Sequence, residues 1–507
     1  MISRKNWISC ILLFLCCAVY VFFRLIAGNA YRQPDEMITI KVIEHIFATG
    51  HWNTNWALAD LPKHFKFDQY NFSSYILTLA GITKFIYFVF HIFKPHTEFT
   101  IDLRFSSALF HIIIILLTYA VGKSLFNSRR IGIAAAWLTA IFPLLFQDSL
   151  YYRPESFTTM LTLLLVLVLT KQRQKPQIRW FFIMGGLIGF LVAAKITFLV
   201  LLALPVITGF IHRNRKRWFY IQLMLALGIG LGYGFVVGAP YALVNWSAYL
   251  HGVARLVAQY AGGHWPYGLP DGNILDRLTY SRHYFSGIGA GWFFLLAVAG
   301  WLLLLKKRLY DVFLVVGLFF FVIVYFSIKP VFFERNFGFA IPYLAMCVGL
   351  AIFWCIDRLS GKQIIRIALS GIIVAAVSAP LLLFLWKLDT EVFSGRYEKQ
   401  HQELRTQLKN QYGRKIGVGS SDDFKRYALS KIQISNDKQD TIYEICGAND
   451  NYTRNFITLA CRDLGLRVIA ELPSPFQANG LPPSTLYNHA PQYFYLAHIS
   501  DTSGSSH

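Results

Sequence analysis

Charge is scarce in this sequence. Of its 507 residues, 15% are Asp, Glu, Lys or Arg, against about 25% in a soluble globular protein. That excludes an ordinary cytosolic enzyme. The 55% share of hydrophobic residues excludes a disordered chain. Metal-binding cysteine patterns are missing too: none of the seven cysteines stands in a CxxC pair or a Cys/His cluster of zinc spacing. There is no Walker A loop, no strand-coupled G-x-G-x-x-G, no G-x-S-x-G and no H-E-x-x-H. No repeat of fixed period stands out.

What is present suits a chain solvated by lipid. Aromatics make up 16%, with 44 Phe and 12 Trp, and the mean hydropathy is +0.44. The formal net charge is +21. Nucleic-acid binding would need basic side chains gathered on one wet surface. Here they stand in short clusters between apolar runs, as in the cytoplasmic loops of membrane proteins, so no nucleic-acid partner is expected. Cys10, Cys16, Cys17, Cys347 and Cys355 fall inside the apolar runs and read as small hydrophobes.

A spanning helix needs about 20 apolar residues. The sequence predicts about eleven, near 7–27, 105–124, 131–150, 156–170, 178–194, 196–211, 218–239, 286–305, 310–327, 338–356 and 365–386. The first reads as an anchor, because its apolar stretch is longer than a signal peptide core. Arg4 and Lys5 keep the N-terminus inside. Alternation then puts Ser128–Arg130, Lys171–Lys175, His212–Arg217, Lys306–Arg308 and Asp357–Arg366 inside, and every one is basic. Residues 72–93 are also apolar enough to span, but a crossing there would place all later basic clusters outside. They are read as a helix lying in the outer interface.

The fold class expected is therefore an all-α polytopic membrane protein with outer juxtamembrane helices, followed by a small C-terminal α/β or α+β domain. The boundaries are 1–388 for the membrane domain, with 28–104 as its first outer loop, and 389–507 for an extracytoplasmic soluble domain. In that domain Tyr397–Tyr412 reads as a helix, and Lys415–Gly419 and Leu466–Glu471 as strands. Cys446 and Cys461 either pair there or stand as two buried thiols. The chain is expected in an inner or plasma membrane, with a cytoplasmic N-terminus.

Two outer loops carry acids in one pattern. Tyr31-Arg32-Gln33-Pro34-Asp35-Glu36 opens an amphipathic helix, and Tyr151-Tyr152-Arg153-Pro154-Glu155 opens a span. Proline followed by an acid is a helix start, where a carboxylate complements the helix dipole. A neighbouring arginine keeps such carboxylates charged. Lys63, Lys66, Arg104, Arg153, Lys195, Arg282, Lys329 and Arg335 all fall on the outer side. Lys195 interrupts an apolar stretch, where a lysine is costly unless it snorkels to the interface or meets water or an anion. Together these make an outward cavity with carboxylates at its centre and cations at its edge, and a phosphate group fits the cations. The loop 240–285 adds Tyr260, His264, Trp265, Tyr267, His283 and Tyr284. These suit sugar stacking, but also an ordinary membrane interface. The Gly185–Gly189 run allows close helix packing.

The order of these features resembles the GT-C glycosyltransferases of the protein O-mannosyltransferase and aminoarabinose-transferase group (glycosyltransferase family 39-like). The likeness covers roughly residues 1–345: the acidic pair after Pro34, Leu103-Arg104, Arg153-Pro154-Glu155, Gly185 to Lys195, and Arg335 with Pro342. The resemblance implies inverting transfer of a sugar from a polyprenyl-phosphate carrier, outside the membrane, to a protein, lipid or glycan acceptor. It makes Asp35 or Glu36 the general base and Glu155 the second acidic position, often Asp in relatives. Lys66 or Lys63 would hold the carrier phosphate, with Lys195 and Arg335 as further contacts. No resident cofactor is assigned, and a divalent metal at the second acidic position is left open.

The residues agree on independent grounds. Nucleotide sugars are cytoplasmic, so an outward cavity needs a donor delivered through the bilayer. A departing phosphate needs cations rather than an acid, whereas the acceptor needs a base. The main rival is a transporter or flippase of a lipid-linked or anionic substrate. Transporters, however, place ionisable groups near the midplane and show repeated halves.

Overall fold

The computed structural model describes residues 4–27, 34–62, 66–90, 99–174, 177–211, 217–261, 273–330, 333–359, 363–388, 390, 396–412, 415–418, 441–447, 466–473 and 492–498. The pairing of Cys446 with Cys461 lies outside the described residues.

Helices dominate. The first four are α1 (Arg4–Ile26), α2 (Pro34–Thr49), α3 (Ser73–Phe90) and α4 (Phe99–Phe126). Next come α5 (Arg129–Ala140), α6 (Pro143–Asp148), α7 (Pro154–Gln174), α8 (Ile178–Ala194), α9 (Ala203–Ile211) and α10 (Arg217–Gly238). Then follow α11 (Pro240–Val244), α12 (Trp246–Ala261), α13 (Ile274–Gly287), α14 (Gly291–Lys306), α15 (Tyr310–Ser327), α16 (Ile341–Leu359), α17 (Gln363–Lys387) and α18 (Arg396–Tyr412).

All eleven predicted spans fall on helical segments, but they are not eleven uninterrupted crossings. Among the described residues seven helices are long and apolar enough to cross a membrane, or eight if α13 and α14, bent by 109°, count as one. The expected span 131–150 breaks between α5 and α6, where Pro143 begins the shorter helix without an N–H to donate backwards. The expected span 196–211 opens as a 3-10 turn, Ile196–Leu202, before α9. Between α13 and α14, Gly289 holds a left-handed φ of +80° and lies against the Pro380 backbone, where a side chain would not fit. Within the run at 72–93, Ser73–Phe90 form α3, which buries Tyr75, Ile76, Leu79 and Ala80 and leaves Phe85 and Phe88 exposed.

The Gly185–Gly189 run does what its composition implied. α8 and α10 approach until a methyl group at Gly185, Gly189, Gly230 or Gly234 would overlap a backbone carbonyl of the opposing helix. Backbone-to-backbone dispersion replaces side-chain packing there. We expect Gly234→Leu to part the two helices and lower the unfolding midpoint in detergent by several degrees or abolish folding, since overpacking costs about 1–3 kcal/mol or more. An unchanged midpoint would contradict this packing.

The C-terminal segment carries a four-stranded sheet of order β1-β2-β4-β3, with β1 (Lys415–Val418), β2 (Thr441–Gly447), β3 (Leu466–Leu472) and β4 (Gln492–His498). β1 pairs parallel with β2, and β4 antiparallel with both β2 and β3. The register of β3 on β4 slips between Val468 and Ala470, a bulge that bends the strand.

Candidate active site

The site grows from two helix starts. At the N-terminus of α2, Glu36 is only 2% exposed. Its Oε1 accepts the Tyr152 backbone N–H at 3.0 Å, and its Oε2 lies 3.3 Å from the Arg104 Nη2 of α4. The Thr39 hydroxyl donates to the Tyr152 carbonyl at 3.4 Å, and the Ser107 hydroxyl to the Tyr151 carbonyl at 2.7 Å. α2 and α4 thus fix the Tyr151–Tyr152 backbone, which ends three residues before the second acid.

That acid, Glu155, sits in the first turn of α7 and is 3% exposed. Lys195 Nζ donates to its Oε1 at 2.7 Å, and Arg153 Nε lies 3.4 Å from its Oε2. Arg335, in a 3-10 turn over Glu334–Ala340, acts on it electrostatically. Lys195 does not merely snorkel: it caps α8 in an extended conformation that turns its ammonium to Glu155. Tyr75 of α3 is fully buried within electrostatic range of both acids. Burial, reinforced by the charges of Glu155 and Glu36, holds its phenol protonated well above its ordinary range.

The loop before α3 is organised by Asn55. Its Oδ1 accepts the backbone N–H of Ala57 and of Gln69, both at 3.1 Å, and its Nδ2 donates to Asp68 at 2.8 Å. Phe72, at a φ of +68°, donates its N–H to the Ala194 carbonyl at 2.9 Å and stacks under the Lys195 ammonium, 5.8 Å from the ring centroid. This conformation is sparsely populated for a bulky residue. It ties the Lys66 loop to the chain break that carries Lys195.

Of the eleven acidic and basic residues singled out from the sequence, five are drawn together here, Glu36, Glu155, Arg104, Arg153 and Lys195, whereas Arg282 is exposed and Lys329 is half-buried over the Tyr325 ring. Arg335 is half-buried beside them, its guanidinium 4.3 Å from the Phe333 ring. Lys66 is exposed on its loop and paired with neither carboxylate. Asp35 lies in α2, but its side chain falls outside the described residues, as do Lys63 and Arg32. The arginine paired with Glu36 among the described residues is Arg104, at 3.3 Å. Of the aromatic loop, Tyr284 is buried and His283 exposed, whereas His264, Trp265 and Tyr267 lie outside the described residues.

Two residues were missed. Arg24, near the end of α1, interacts electrostatically with Arg104 and Tyr152. Asp148, the last residue of α6, is 4% exposed and within electrostatic range of Glu155, Arg153, Glu334 and Lys195. Its sequence signal was an acid at the outer end of an apolar run, masked by its place inside an expected span.

Both oxygens of Glu155 face cations, and among the described residues no three His, Cys, Asp or Glu converge on one point. The arrangement offers an anion four basic side chains from separate elements, held in place by buried carboxylates.

The sequence from 82 to 249 matches the family model of dolichyl-phosphate-mannose-protein mannosyltransferase. No curated protein sequence matches the chain. Among solved structures, ArnT from Cupriavidus metallidurans in the apo state is similar at 12% identity and a TM-score of 0.51, covering 99% of each chain. The Archaeoglobus fulgidus oligosaccharyltransferase, tethered to an acceptor peptide containing the NVT sequon, is similar at 16% identity and 0.50, covering 75% of this chain. The archaeal oligosaccharyltransferase AglB from the same organism, in complex with an inhibitory peptide and a dolichol-phosphate, is similar at 13% and 0.50, covering 85%. This chain spans 55% and 60% of those two longer proteins. Fold and site therefore define a class: a polytopic membrane protein with the GT-C fold. The likeness to the mannosyltransferase family model covers about a third of the chain, and the likeness to ArnT is one of fold.

Proposed function

We propose that this chain is an inverting glycosyltransferase that moves a sugar from a polyprenyl-phosphate carrier to an acceptor hydroxyl or amine on the extracytoplasmic side of the membrane. The observation that carries the reading is the Glu155 carboxylate held between Lys195 and Arg153, one segment away from Glu36 and Arg104. Such a cluster orients cations toward an anion without letting them collapse on it.

The chemistry is a displacement at the anomeric carbon. The acceptor oxygen or nitrogen attacks from the face opposite the phosphate, the C–O bond to phosphate breaks, and the carrier leaves as polyprenyl phosphate. Lys195, Arg153, Arg335 and Arg104 stabilise the departing charge, and the resemblance adds Lys66 or Lys63 as a further phosphate contact. The acceptor proton goes to Asp35. Both oxygens of Glu36 are engaged by Arg104 and by the Tyr152 N–H, so we assign the base to Asp35, its neighbour at the start of α2, and give Glu36 the part of holding Arg104 and the Tyr152 backbone. Glu155 fixes its two cations and takes no proton.

The membrane domain, residues 1–388, carries this site, and residues 389–507 form a separate extracytoplasmic domain. The basic clusters 128–130, 171–175, 212–217, 306–308 and 357–366 support that sidedness. Mass spectrometry of envelope lipids and glycoproteins, with the gene present and deleted, tests the function. We expect one glycan species to lose a single sugar, with its polyprenyl-phosphate donor accumulating. Identical profiles would contradict the reading.

A further inference from the structure

The Glu36 and Glu155 cluster lies at one end of two spans, and a polar cavity lies at the other. α4 carries Arg104 near its start and Ser124 near its end, while α7 carries Glu155 in its first turn and Arg173 in its last. At 1.5 Å per residue, the separation is about 30 Å along α4 and about 27 Å along α7. A hydrocarbon core is about 30 Å thick. The cavity therefore belongs to the membrane face opposite the cluster, where the basic loops 128–130, 171–175 and 306–308 stand.

The cavity measures about 380 Å³, within the range of small-ligand sites. Ser124, Asn127, Thr170, Arg173 and Gln174 supply its polar lining, and Leu309 part of the apolar one. The two hydroxyls serve the fold: Ser124 donates to Thr170 Oγ1 at 3.2 Å, and Thr170 to the Leu167 carbonyl at 2.7 Å. The side-chain amides of Asn127 and Gln174 have no partner among the described residues. Arg173 has one there, Asp311 of α15, which meets its Nη2. A guanidinium carries five N–H donors in a planar fork and keeps its charge at any physiological pH. Asp311 thus fixes the fork, and the edge turned away from it keeps donors for a second acceptor.

Charge selects that acceptor. Lys123, Lys171 and Arg308 each adjoin a lining residue in sequence, and all three are exposed. The acids near them among the described residues are Asp311, held by Arg173, and Asp357, 3.9 Å from Arg130. The surplus is positive, so the complementary guest is an anion. A phosphate accepts two parallel bonds from one guanidinium edge, and the two amides offer further N–H groups. Basic pockets between spans on the cytoplasmic side suit the phosphates of lipid headgroups.

We propose that this cavity is a second phosphate site, separate from the catalytic cluster, which holds the phosphate of an anionic phospholipid headgroup or of a soluble phosphate ester. Arg173 anchors the anion, Asn127 and Gln174 donate to it, and Asp311 positions the anchor. The site goes beyond the glycosyltransferase reading and does not rest on it.

The test uses the full chain in detergent, with phosphatidylglycerol, phosphatidylcholine and glycerol phosphate titrated separately and bound ligand counted by native mass spectrometry. We expect at least one of the two anionic probes to bind several-fold more tightly than zwitterionic phosphatidylcholine. Arg173→Gln combined with Asp311→Asn removes both charges and leaves no unpaired carboxylate. It should weaken the anionic probe roughly tenfold or more, as for loss of a hydrogen bond between charged groups. Gln174→Ala should weaken it roughly threefold. Lys195→Ala, in the catalytic cluster, should leave it within about twofold of the native chain.

A loss confined to phosphatidylglycerol assigns the site to a lipid headgroup, and a loss for glycerol phosphate assigns it to a soluble ester; both uphold the site. A native chain that binds neither anionic probe more tightly than phosphatidylcholine would overturn it. So would a double variant that binds every probe as the native chain does. A loss in Lys195→Ala equal to that in the double variant would put the anion in the catalytic cluster and overturn it too. If the double variant fails to fold, Gln174→Ala and Asn127→Ala give the same readout on exposed side chains, and unaltered affinities in both would overturn the proposal.

Discussion

Replacing Asp35 with Asn is expected to lower sugar transfer by about 10²–10⁴-fold, the range of a lost general base, with folding unaltered. The substitution keeps the shape of the side chain at the second position of α2 and removes only its capacity to take a proton. The loss should fall on kcat, since the donor phosphate is held elsewhere and the acceptor is still bound. Glu36→Gln should behave differently. It breaks the pairing with Arg104 at 3.3 Å while keeping an acceptor for the Tyr152 N–H, so it should loosen the 151–153 segment and cost stability as well as rate. Full activity in Asp35→Asn would remove Asp35 from the mechanism. Full loss in Glu36→Gln with unchanged stability would pass the base role to Glu36.

The second large effect is expected at Glu155. Its carboxylate is 3% exposed and faces two cations. Glu155→Gln leaves Lys195 and Arg153 with a neutral partner in a buried place, and breaking a buried pair costs about 3–5 kcal/mol. We expect a lower unfolding midpoint and a loss of transfer of at least about 10²-fold, because the phosphate contacts lose their orientation. Lys195→Ala should act more narrowly. It removes the 2.7 Å partner but leaves Arg153 on Glu155, so the donor KM should rise more than the acceptor KM. Equal effects on both substrates would reduce Lys195 to a structural ion.

Much of this site was legible because it follows local rules. Pro34 with Asp35 and Glu36, and Pro154 with Glu155, are helix starts that any reader of N-terminal turns finds. Lys195 declares itself by interrupting an apolar run. The basic loops fixed an expected sidedness, and the glycine run announced a close helix contact that the α8 and α10 backbones make. What was hidden is long-range. The bond from Tyr152 to Glu36 joins residues 116 apart in sequence, and no periodicity carries it. Asp148 was hidden because hydropathy averages one acid into its apolar neighbours. The Pro143 break was visible as a proline but was read through, since a window of apolar residues does not register a kink.

The C-terminal sheet shows a different limit. β1 and β3 were expected, but β2 and β4 were not. β4 lies between β2 and β3, and three successive residues, Phe494, Tyr495 and Leu496, are buried. A strand covered on both faces shows no alternation of apolar and polar residues, so a period of two does not reveal it. The sequence of β2, Thr441-Ile442-Tyr443-Glu444-Ile445-Cys446-Gly447, places polar and apolar residues without a clean face.

The decisive measurement is a paired assay on the purified chain. One arm supplies polyprenyl-phosphate sugars in nanodiscs and follows the release of polyprenyl phosphate together with a glycosylated acceptor. The other seals the protein into vesicles and follows movement of the same lipid-linked sugars between leaflets. We predict a covalent product in the first arm, lost in Asp35→Asn and Glu155→Gln, and no movement in the second. Movement between leaflets with no covalent product would contradict the account and make the paired acids and cations the lining of a transport path.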